Sequence, residues 1–223
     1  MPASAEELVS AIRRMIAVSL SAMLLVAVAA PSRAEAADAS TSSPVCDAAA
    51  ELRERLEGVT EGVIDGRLAA VPHAADRASA WWTAHRTEFA SAPSLDTLMR
   101  QLVTAAHHQR TRQAASLAVR LSAESFAWCP SAHSDSDALM LLDLAGMTGW
   151  LRGRGQALEW PAGVPAATDS LAAHLVVHRH PSSATRLRSA VAALLAAHEG
   201  PRGDVLPATR LLELIDQLEQ VLR

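Results

Sequence analysis

His174 and His178 stand four residues apart in the stretch Asp169–Pro181, DSLAAHLVVHRHP, and on a helix that spacing puts both imidazoles on one face. Two neutral imidazoles one turn apart make a bidentate site for Zn, Cu or Ni, the ions that imidazole nitrogen suits. Thr168 or Asp169 can cap this helix and Pro181 stops it. Leu171 and Leu175 share the histidine face, so the rings are expected to point into the protein, with a further donor arriving from His198 or His107. Such a donor must come within about 3 to 4 Å of the pair at nitrogen, because zinc–nitrogen bonds are near 2 Å. The zinc-protease form of the motif needs a glutamate between the histidines. Leu175, Val176 and Val177 fill that gap, so the chemistry read here is metal handling or sensing rather than hydrolysis. His180 falls on the other side of the helix and suits its C-terminus.

A b-type haem is the secondary cofactor reading. It needs a wide apolar slot, for which Trp81, Trp82, Trp150 and Trp160 offer walls, and a His or Met as axial ligand. The chain has no nucleophile elbow, no phosphate-cradling glycine loop and no acid pair at catalytic spacing, so no enzyme class is drawn from it. The competing reading is a cofactor-free scaffold or accessory subunit. Its protein partner would dock on the row Gly58, Gly62 and Gly66 or on the loop around Trp160.

The N-terminus speaks to compartment. Arg13 and Arg14 precede a run of apolar residues from Met15 to Ala30, and the small residues Ala34 and Ala36 suit cleavage after Ala36. Residues 1–36 are therefore expected to be a cleaved signal peptide, residues 37–44 a flexible lead, and the mature protein periplasmic or secreted. An apolar run of about 16 residues is short of the roughly 20 that span a bilayer, so no stable membrane insertion is expected after cleavage. The adjacent arginines leave Sec and twin-arginine export both open. In such a compartment the only two cysteines, Cys46 and Cys129, are expected to pair as a disulfide.

All 20 basic residues are arginine and the formal charge is -4, without a basic block, so nothing suggests a nucleic-acid partner. The elements that must position the histidines are all helical. Apolar residues recur at helical spacing from Cys46 to about Ala70, from His73 to about Ala90 and from Leu95 to about Trp128. Further stretches run from Ala138 to Trp150, from Asp169 to Pro181, from Ser182 to Gly200 and from Pro207 onward. No stretch alternates as a strand would. The expected fold is an all-α antiparallel bundle of about six or seven helices over residues 45–223, with a possible subdomain break near 158–167.

The first two helical stretches are taken as one kinked rod, with 95–128 as its antiparallel return, which brings Cys46 beside Cys129. The polar segment His107–Gln113, HHQRTRQ, then falls in mid-helix, so that either the helix projects beyond its neighbours or a polar cavity opens there. In the first stretch Glu57, Glu61 and Asp65 form a row opposite the apolar stripe and are expected to face solvent.

Overall fold

Apolar residues at i, i+3 and i+4 can bury one face of a helix only against other helices, and the computed structural model shows how this chain does so. It describes residues 43–89, 93–128, 134–198 and 204–222. The expected signal peptide and most of the lead, Cys129 and the side chain of His198 lie outside them.

Eight α-helices, and no strand, are found among the described residues: α1 Pro44–Ile64, α2 Val71–His85, α3 Pro93–His107, α4 Thr111–Phe126, α5 Asp135–Gly153, α6 Val164–Val177, α7 Pro181–His198 and α8 Val205–Leu222. Helices α1 to α4 pack as one closed antiparallel set, α1 against both α2 and α4. Helices α5 to α8 form a second, with α5 against both α6 and α8. The sets meet mainly through α4 and α5, with α1 touching α5.

The first set replaces the expected rod and return. Helix α1 stops at Ile64, Gly66 takes φ 74°, and a short 3₁₀ turn at Leu68–Ala70 leads into α2, which folds back along α1. A left-handed φ costs glycine little, which is why the reversal sits there. The long helix expected over 95–128 is likewise two helices. The backbone turns at His108–Arg110, with Gln109 at φ 57° and the Arg110 N–H bonded to the Ala105 carbonyl at 2.9 Å. The polar segment that disturbed the stripe is thus a hairpin turn, and its side chains are exposed because they sit at the end of a bundle.

The first core is built from Leu52, Leu56, Leu102 and Leu121, each at most 1% exposed, with Trp81, Trp82 and Phe89 at one end. The second is built from Leu142, Leu171, Leu175, Leu187, Leu211, Ile215 and Leu218, likewise at most 1% exposed. Burying each such leucine is worth about 2 kcal/mol. Helix α5 serves both cores: Leu144, Met147 and Leu151 face the first, Leu139, Leu142 and Ala145 the second. That explains why ALMLLDLAGMTGW is apolar on most sides. Gly149 and Gly146 let α7 and α8 close on α5, since a Cβ at either would lie 2.6 Å from a leucine methyl, Leu194 or Leu212.

No helix among the described residues is long and apolar enough to cross a membrane. None of the described residues is a free cysteine.

Candidate functional site

Helix α6 buries Val164, Thr168, Leu171, Ala172 and Leu175. His174 follows Leu171 by three positions, about 60° short of a full turn, so its ring falls at the edge of the buried stripe. The helix ends straight afterwards. Arg179 adopts φ 66°, the His178 N–H bonds to the His174 carbonyl at 3.0 Å, and the His180 N–H bonds to the Leu175 carbonyl at 2.7 Å. His174 therefore lies in the last turn and His178 at the C-cap, where the partial negative charge of the helix end favours a cation.

The histidine pair is at the surface, which differs from the expectation of an inward face. The His174 side chain is 33% exposed, and His178 is exposed. The two rings stack, with centroids 4.1 Å apart and planes 20° from parallel. Asp135, in the first turn of α5, places a carboxylate oxygen 2.9 Å from His174 Nδ1. A carboxylate contact of this kind keeps the proton on Nδ1 and leaves the lone pair on Nε2. No hydrogen bond among the described residues holds the His178 ring, whose contact is the stack on His174.

The other expected donors do not join the pair. His107 ends α3 and is itself exposed, with Nε2 2.9 Å from an Asp76 carboxylate oxygen of α2. It forms its own imidazole–carboxylate contact in the first helical set, whereas His174 belongs to the second. His198 ends α7, the helix that starts at Pro181 just after the pair, so the hairpin carries it roughly 25 Å of helix away. Its side chain lies outside the described residues. Among the described residues no group of three His, Cys, Asp or Glu side chains stands close enough to hold a metal ion. The grouping is thus two imidazoles and one carboxylate.

Trp82 stacks on Phe89 and Trp128 at one end of the first set, Trp81 meets Phe89 at a tilt, and His85 lies 4.3 Å from Trp81 in a near-parallel stack. Trp81 and Trp82 are buried in the first core. The glycine row is not a continuous strip: a Cβ at Gly58 would meet open space, one at Gly62 would lie 3.1 Å from a Val71 methyl, and Gly66 has left the helix.

Two groups that carry charge into the interior escaped the sequence. The first is an acidic seam between the helical sets. Glu57 is half-buried rather than solvated, and its carboxyl is pushed up to about 7 by burial and then by Glu61, Glu219, Glu54 and Asp216. Asp143 of α5 is held well above the usual carboxylate range by burial, then by Glu57, Glu61, Asp216 and Glu219. Glu61 is raised by burial and Asp65, with Arg67 pulling the other way. The signal available in advance was Asp143 itself, the one charged residue within ALMLLDLAGMTGW.

The second is Arg53 of α1, 3% exposed, where the sequence pattern reads only the outer edge of an amphipathic helix. Its Nε donates to the Met140 sulfur at 2.8 Å, Nη2 donates to an Asp137 carboxylate oxygen at 3.2 Å, and the guanidinium lies 4.2 Å above the Phe126 ring. Nη1 has no hydrogen-bond partner among the described residues. Burial lowers the Arg53 pKa and Asp137 partly restores it.

Comparison of the chain with protein-family models, with curated proteins and with solved structures gives no match.

Proposed function

We propose that this is an exported helical protein that captures a transition-metal ion, Zn, Cu or Ni, at the surface pair His174 and His178. The observation that carries the reading is the Asp135 contact to His174 Nδ1 at 2.9 Å. A histidine that binds metal through one ring nitrogen typically gives the other to a carboxylate, which fixes the tautomer and raises the basicity of the ligating nitrogen. Two protein donors leave the coordination sphere open, the arrangement of an ion taken up and passed on rather than locked into a fold. Metal handling therefore fits better than a structural metal.

Titration of the purified protein with Zn²⁺, Cu²⁺ and Ni²⁺, read by calorimetry, is expected to give one site. The His174→Ala, His178→Ala double variant should lose that site, and Asp135→Asn should weaken it about 10- to 100-fold, as loss of an outer-shell partner typically does. Because all three residues are at least partly exposed, the variants should stay folded. Binding undiminished in the double variant would refute the assignment.

Export and the disulfide belong to the same reading. Cys46 carries no free thiol, and the chain has one other cysteine, Cys129. The Arg53–Phe126 contact supports the pairing, because it places the first half of α1 beside the end of α4. A bridge closing so long a loop is worth on the order of 4 kcal/mol. Reduction is accordingly expected to lower the unfolding midpoint of the mature protein markedly, and a midpoint indifferent to reductant would count against the bridge.

A further inference from the structure

The α3–α4 hairpin holds an open groove of about 540 Å³, within the size range of small-molecule sites. Thr97, Arg100, Gln101 and Thr104 line it from α3, and Arg110 and Gln113 from the start of α4. Arg110 and Gln113 are two of the residues whose polarity broke the apolar stripe of the sequence. No carboxylate lines the cavity, and the first turn of α4 contains no acidic residue.

Both guanidiniums have capacity to spare. Arg100 donates only to the Asp96 carbonyl at 3.2 Å and the Thr97 hydroxyl at 3.3 Å, with no ion pair among the described residues. The Arg110 guanidinium makes no hydrogen bond or ion pair among them. On the other side of Arg100 a second cavity of about 440 Å³ continues the groove toward α2, with Arg86 and Asp96 in its wall. Asp96 is already engaged, accepting from Trp82 Nε1 at 2.7 Å and standing 3.9 Å from Arg86. The nearby His107 is taken up by Asp76.

A fork of N–H donors that no carboxylate occupies matches phosphate or carboxylate oxygens in two-point contact. Two such forks on different helices, with threonine hydroxyls and glutamine amides between them, suit a small molecule bearing more than one anionic group and polar atoms in its middle. We propose that the α3–α4 groove binds a small dianion carrying phosphate or carboxylate groups through Arg100 and Arg110. This site is independent of the histidine pair.

The test is calorimetric titration at fixed ionic strength with two probes, inorganic pyrophosphate and citrate, so that the phosphate and carboxylate sources are read separately. At least one should bind saturably. Arg100→Gln and Arg110→Gln should each weaken it about tenfold, the scale of one charge-assisted contact. Both positions are exposed, so circular dichroism should report unchanged folding, and His174→Ala should leave the binding intact. If neither probe saturates below about 10 mM, the weak end of specific affinity, the groove is not a site. Equal binding by the double arginine variant would overturn the proposal as well.

Discussion

Taking the protein from about pH 8 to about pH 5 is expected to stabilise it by about 3 kcal/mol, the reverse of ordinary acid destabilisation. The cause is the seam where Glu57 of α1 lies among Glu61, Asp143, Asp216 and Glu219, an accumulation that Arg67 opposes at Glu61. The folded Glu57 carboxyl is pushed up to about 7 from an ordinary 4.5. Between those values the folded state holds the proton more tightly than the unfolded chain does, so stability falls as pH rises through the interval. The stabilisation is fully present below about 4.5 and lost above about 7. At about 1.4 kcal/mol per pH unit, the interval gives the figure quoted, and Asp143, shifted the same way, adds to it. Urea unfolding at a series of pH values measures the slope. Glu57→Gln should flatten most of it and raise stability at about pH 8. A protein equally stable across that range, or more stable at the alkaline end, would show that the seam is not strained.

Asp137→Ala is expected to cost about 3 kcal/mol, and Arg53→Met much less. Removing the carboxylate leaves a guanidinium that is 3% exposed without its counter-charge, and that is the expensive half of any buried pair. Asp137 also accepts from the Ser134 hydroxyl at 2.6 Å, a bond lost with the carboxylate, while the backbone N–H of residue 137 still caps α5 on the Ser134 oxygen at 3.1 Å. Methionine at 53 keeps the packing against Met140 and Phe126 and removes the unbonded Nη1, leaving Asp137 to Ser134 and solvent. Denaturant unfolding of both single variants and the double variant gives the coupling directly. Should the arginine variant prove the more damaging, the pair would be a net source of stability and the reasoning reversed.

The class of fold was legible because periodicity of 3.6 survives in every element, and α8 with Leu211, Leu214, Ile215 and Leu218 is the plainest case. The reversals were less so. A stripe that resumes in phase after a turn looks continuous, which is how Leu98, Leu102, Leu117 and Leu121 suggested one helix where two run antiparallel. The turn residue there is Gln109, not glycine, so the usual punctuation was missing. The histidine pair was found by spacing alone. Its Asp135 neighbour was not, because it lies on another helix 39 positions away. Glu57 was misjudged for a related reason: an acidic row opposite one helix's own apolar stripe faces water only when no second layer covers it.

Since α5 lends one side to each core, the quartet α1 to α4 has no complete interior of its own. A fragment ending before residue 134 would leave Leu56 and Trp82 in place yet lack Leu144, Met147 and Leu151, which complete the wall they belong to. Separating the halves by proteolysis at the α4–α5 connection should therefore yield nicked but associated chains. In native-state amide exchange, the slowest protons are expected along the helix that both halves share.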